Sequence, residues 1–140
     1  MTVAFQMKRV IQEDEAGCGI ACVAMVSGKT YLQAKRFFLE RIFLPTDRKP
    51  HTRHYQLRRA LRKLGIATEK RAFRNWRSIE NLSIVPINRR SDTGWHWVVF
   101  VPNGVRSYIL DPIPEQRRRR YDFRGMKARG LYIIVKTPKR

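Results

Sequence analysis

Four residues have the types that nucleophilic attack on a carbonyl requires: Gln12, Cys18, His96 and Asp111. Cys18 lies between Gly17 and Gly19 at the head of an apolar stretch. Small neighbours allow close backbone approach there, and amide dipoles at a helix start favour the thiolate, the reactive form. A thiolate needs a base beside it, and the base needs an orienting group. Asn103-Gly104 between two apolar runs predicts a tight β-hairpin, because both central positions of the favoured turn take positive φ. That turn sets His96 directly opposite Asp111, with Cβ atoms about 5 Å apart, so the carboxylate holds one imidazole nitrogen. Gln12 precedes Cys18 by six residues, and its side-chain amide is a donor for a developing oxyanion beside the Cys18 backbone N–H. Each residue also has an ordinary reading: His96 as a packed ring between tryptophans, Asp111-Pro112 as a strand end, Gln12 as a surface glutamine. Glu13, Asp14 and Glu15 oppose ionisation of the sulfur unless an imidazolium compensates. Cys22 reads as a small buried core residue.

The elements that must position these residues fall into two halves. Gly19 to Val26 is small and apolar and stops at Ser27-Gly28, a short buried helix. Thr30 is an N-cap for a second helix, whose apolar stripe of Tyr31, Ala34, Phe37, Phe38, Leu39 and Ile42 ends near Pro45. Thr52 caps a third, with Leu57, Ala60, Leu61 and Leu64 on one face and basic residues on the other. From Ile66 the pattern turns to strands: Ala67 to Phe73, Ile84 to Ile87, Trp97 to Val101, Val105 to Leu110 and Leu131 to Val135, with one helical turn over Ser78 to Leu82. Helices followed by strands, rather than alternating with them, predict an α+β fold with an antiparallel sheet.

The 140 residues suit one domain over 1–140, and 43% hydrophobic residues with fifteen aromatics supply a core, which excludes a disordered tail. The longest apolar run, Ile20 to Val26, is seven residues, against the roughly 18 needed to cross a bilayer. No secretory signal pattern opens the chain, so the expectation is a cytoplasmic protein without membrane insertion, its two cysteines reduced. Thirty Lys and Arg against eleven Asp and Glu give a formal charge of +19 and a field that attracts anions.

The block from Gln12 through Gly17-Cys18-Gly19 to Met25, then Ile84-Val85-Pro86-Ile87, His96-Trp97-Val98-Val99-Phe100 and Asp111-Pro112, resembles the bacteriocin-processing, double-glycine-leader cysteine peptidases. The resemblance implies a papain-like fold, with N-terminal helices packed on a C-terminal antiparallel sheet. It implies cleavage of a peptide or protein after a Gly-Gly pair. In that reading Cys18 is the nucleophile, His96 the acid/base, Asp111 the orienter and Gln12 the oxyanion donor. No metal or organic cofactor is implied. The sequence departs from the pattern in having Gly17 where an acidic residue commonly precedes the Cys, and in having no Gly after Asp111-Pro112. Family members are usually domains of peptide exporters. This chain carries none, so any transporter is expected to be a separate partner. Trp95 and Trp97 are candidate walls of a narrow cleft that selects glycine, with a place in the core as the alternative for Trp97.

Other readings compete. Nine basic residues from Arg53 to Arg77, among them Arg58, Arg59, Arg62 and Lys63, and ten from Arg117 to Arg140, beginning with Arg117, Arg118, Arg119 and Arg120, form patches for an anionic partner. That partner is an acidic peptide, an acidic protein or a nucleic acid, the last with Trp76 and Tyr121 for stacking. Cys18, Cys22, His51 and His54 offer two N and two S ligands for zinc, at a loose spacing. A noncatalytic peptide-binding adaptor on the same fold completes the set.

Overall fold

The computed structural model describes residues 7–88, 94–115, 119–123 and 125–136. In chain order the elements are α1 (Cys18–Ser27), α2 (Tyr31–Phe37), a π turn (Phe38–Ile42), α3 (His54–Lys63), β1 (Ala67–Ala72), a 3-10 turn (Trp76–Ser78), β2 (Ser83–Ile87), β3 (His96–Val101), β4 (Tyr108–Leu110) and β5 (Leu131–Lys136). The five strands form one antiparallel sheet in the order β1-β5-β2-β3-β4, with the helices ahead of it in sequence, so the fold is α+β. Among the described residues, no helix is long and apolar enough to cross a membrane.

α1 is apolar all round because it is buried all round: Cys18 to Met25 are inaccessible, packed between α2, α3 and β3. It stops at Gly28, which takes the left-handed conformation at φ +73° and donates its N–H to Ala24 O. α2 begins as expected at Thr30, where Thr30 Oγ1 accepts from Gln33 N–H and Gln33 Oε1 from Thr30 N–H, a reciprocal cap. The helix does not run on as regular α to Pro45. It widens into the π turn, which buries both Phe38 and Ile42, and Phe43 is already extended. Leu44, preceding a proline, disfavours a helical continuation. Thr52 is not the cap of α3. Gln56 Oε1 takes the Arg53 N–H at 2.8 Å, and Thr52 is instead buried against α1. The short turn expected at Ser78 to Leu82 sits earlier, because Asn75 caps it through Oδ1 to the Ser78 N–H.

The sheet is apolar on both faces. The helix side gathers Ile20, Val23, Phe38, Leu57, Ile84, Trp97, Val99 and Ile133. The far side gathers Val85, Val98, Phe100, Ile109 and Ile134, covered by Phe73, Trp76 and Phe123. That is why β2 and β3 read as continuous apolar runs rather than alternating ones.

The hairpin corrects the sequence expectation. β3 and β4 pair Val99 with Leu110, Phe100 with Ile109 and Val101 with Tyr108, so the loop spans 102–107 instead of two residues. Gly104 has φ +58° but Asn103 does not have positive φ, so the expected turn does not form. Ser107 supports the wider loop, its Oγ accepting from Asn103 N–H and donating to Gly104 O, both at 2.9 Å. The register slips by two, and Asp111, just past β4, lies diagonally rather than directly across from His96.

Candidate active site

Cys18 is the first residue of α1 and 7% exposed. β4 ends opposite Val99, leaving the Trp97 N–H outside the ladder to β4, and it donates to Cys18 Sγ at 3.4 Å. His96 opens β3, its Nε2 lies 2.6 Å from Asp111 Oδ1, and its ring interacts electrostatically with the Cys18 side chain. With Nε2 taken by the carboxylate, the nitrogen left for the sulfur is Nδ1. Burial alone depresses the imidazole, but the hydrogen bonds and charges of Asp111 and Cys18 outweigh it and raise His96 from 6.5 to about 10. The ring is therefore an imidazolium at neutral pH.

Asp111 is 4% exposed, and its Oδ1 also accepts the Ile113 N–H at 3.0 Å. Its loop is fastened from the other end of the chain: Arg9 Nε donates to Asp111 O and Arg9 Nη2 to Ile113 O, each at 2.6 Å, while Gln12 N–H donates to Pro112 O. Cys18, His96 and Asp111 thus converge although 93 residues separate the first from the last.

Gln12 is buried beside them, with both amide hydrogens engaged, Nε2 donating to Asp14 O at 3.0 Å and Glu15 O at 2.9 Å. Of the acidic residues ahead of Cys18, Asp14 has its charge paired. Tyr31 donates to Asp14 Oδ2 at 2.6 Å and Lys35 Nζ to Oδ1 at 3.0 Å. The Tyr31 bond, reinforced by Lys35, overcomes burial and holds the Asp14 carboxyl below its usual range. A Cβ on Gly17 would stand 2.0 Å from the Tyr31 hydroxyl, so a side chain there is incompatible with this contact. On Gly19 it would stand 1.9 Å from Thr52 Oγ1 and 3.0 Å from Trp97 Cδ1, so α1 docks at this depth only with glycine. Nothing in the sequence marked Arg9, Tyr31 or Thr52 for these roles at the site, because each acts through a long-range contact that carries no local pattern.

Trp97 is not a cleft wall: its indole is 1% exposed in the helix-side core, with Nε1 donating to Thr52 O at 3.2 Å. Trp95 is half-buried, its ring against His51, His54 and Trp97 at centroid distances of 5.4, 6.0 and 5.9 Å. Cys18, Cys22, His51 and His54 do not assemble into a metal site, and among the described residues no three His, Cys, Asp or Glu side chains do. His51 and His54 pack on tryptophans, and burial pushes the Cys22 thiol well up, as suits a core residue. Arg58, Arg59 and Arg62 line an open groove on α3, and Lys63 is exposed at the end of that helix. Arg119 stacks over Tyr108 at 4.4 Å and Arg120 bridges to Ile109, while Arg117 and Arg118 lie outside the described residues. Trp76 is partly buried, its ring stacked on Phe100, and it lines an open groove with Tyr121, which is exposed beside Arg106.

No protein-family model matches the chain, and no curated protein matches it. Solved structures it is similar to include double-glycine-motif peptidase domains, and the fold is theirs, a papain-like arrangement. One is a double glycine motif protease from an AMS/PCAT transporter in complex with the leader peptide, 17% identical, TM-score 0.66, covering 95% of this chain and 93% of that one. Another is the peptidase domain of Streptococcus ComA, a bifunctional ABC transporter of a quorum-sensing pathway, 24% identical, TM-score 0.68, covering 93% and 98%. A third is the Streptococcus mutans ComA peptidase domain, 22% identical, TM-score 0.58, covering 93% and 99%.

Proposed function

We propose that the chain is a cysteine peptidase that cleaves a peptide or protein after a Gly-Gly pair, with Cys18, His96 and Asp111 as its triad. The observation that carries this is the His96 ring held between the Asp111 carboxylate, at 2.6 Å, and the Cys18 side chain. Likeness in fold to a protease bound to a leader peptide supports a peptide substrate, and likeness to ComA supports a link to a peptide transporter.

In this mechanism Cys18 Sγ attacks the scissile carbonyl carbon, and the oxygen takes the electron pair. The Cys18 N–H, at the first position of α1 and so without an intrahelical partner, faces that oxyanion. Gln12 joins it only by releasing one of its two carbonyl acceptors, and its standing contribution is to brace the Asp14–Glu15 turn. The imidazolium of His96 gives its proton to the leaving amine as the C–N bond breaks, leaving a thioester. His96, now neutral, takes a proton from water, whose hydroxyl attacks the thioester and frees Cys18. No step calls for a metal or organic cofactor, and a cytoplasmic setting keeps the thiol reduced.

The test is incubation of wild type and Cys18→Ala with a broad set of double-glycine peptides, with products mapped by mass spectrometry. Cleavage after Gly-Gly that disappears in Cys18→Ala is the expected result. No Cys18-dependent product would instead make the chain a peptide-binding adaptor on a peptidase fold.

A further inference from the structure

We propose that the arginine-lined groove between α3 and β1 is a docking site for an acidic segment of the peptide substrate. Its peptide occupant rests on the peptidase reading; the affinity of the groove for carboxylates does not.

Tyr55, Arg58, Arg59 and Arg62 on α3 face Ala67 and Thr68 on β1 across an open groove of about 420 Å³. Arg58 is fixed in place, Nε on Thr68 Oγ1 at 3.0 Å and Nη2 on Thr68 O at 3.3 Å. Arg59 and Arg62 are exposed, and no carboxylate of the described residues pairs with any of the three. Glu69, the nearest acid in sequence, is occupied by Arg71 and Lys136. Three guanidiniums within little more than one helical turn, and without a counter-ion among the described residues, create a local field for an anion, and their forked donors match carboxylates.

The direction of the helix argues for a peptide. α3 starts beside the candidate active site: the His54 ring packs on Trp97 at 4.8 Å, and the Trp97 amide is the one that donates to Cys18 Sγ. From Tyr55 to Arg62 the helix then climbs about 10 Å away, a length that about three extended residues span. A substrate with its scissile bond at Cys18 and acidic residues a short way along the chain can meet both. Single-stranded nucleic acid calls for successive stacking faces, and this groove has one aromatic, Tyr55.

The experiment compares a double-glycine peptide carrying a four-Glu segment with its Gln counterpart, on wild type, on Arg59→Gln/Arg62→Gln and on a control, Arg36→Gln/Arg41→Gln, that removes the same charge from α2 and its π turn. Groove neutralisation is expected to raise KM for the Glu peptide about 5-fold or more, with kcat within twofold and no change for the Gln peptide. At 1 M salt the difference disappears. An unchanged KM, or an equal rise in the control, overturns the proposal. Fluorescence anisotropy of the same peptides on Cys18→Ala reads docking without turnover. Salt-sensitive preference for the Glu peptide there that is lost when Arg59→Gln/Arg62→Gln is added, but not Arg36→Gln/Arg41→Gln, upholds the groove even if wild type cleaves nothing, an outcome that defeats only the peptidase reading. Binding of a labelled single-stranded oligonucleotide that is lost in Arg59→Gln/Arg62→Gln, with no Glu-peptide binding, assigns the groove to nucleic acid and overturns the proposal.

Discussion

A carboxylate 2.6 Å from a half-buried imidazole ties protonation to folding. The folded His96 titrates at about 10 against 6.5 for the free group, so the stability it contributes is fully present below 6.5 and is lost as pH rises through 10. Asp111→Asn should lower the His96 midpoint, read by NMR of its ring proton, and flatten the fall in urea midpoint between those two pH values. Gly17 provides a second test at this scale. Gly17→Ala drives a methyl into the Tyr31 hydroxyl and should cost about 1–3 kcal/mol in denaturant unfolding, less in a Tyr31→Phe background. Sequence made Cys18, His96 and Asp111 legible because chemistry needs those types. The Arg9 clamp and the Tyr31–Asp14 bond were illegible because an arginine 102 residues from its acceptor has no spacing to read.

At the scale of elements, the seam between α1 and β3 fixes the geometry of the site. Gly19→Ala should push α1 off Thr52 and Trp97, lowering unfolding free energy by about 1–3 kcal/mol and slowing Cys18 alkylation and peptide cleavage together. A Thr52→Ala companion, which removes the nearest atom, should recover part of both. α1, the Thr30 cap and the strands were readable from apolar runs and turn residues, except the start of β4, expected at Val105 and found at Tyr108. The hairpin register was not, because a serine hydroxyl outside the turn chose a wider loop. The slip of two preserved which face each side chain takes, so the His96–Asp111 bond formed on the diagonal.

For the whole molecule, +19 in 140 residues means self-repulsion in the compact state. Raising salt from 20 to 200 mM should therefore raise the urea midpoint with little change in its slope. The charge was plain from composition; the second apolar layer on the far side of the sheet was not, since Trp76, Phe73 and Phe123 come from loops without periodicity. Trp97 belongs to two systems, its indole locked into the core through Thr52 and its main-chain amide trained on the sulfur. Any loosening of the interior moves that donor before the backbone comes apart. Warming should accordingly silence hydrolysis several degrees ahead of melting, giving the protein a working ceiling set by the fit of one tryptophan.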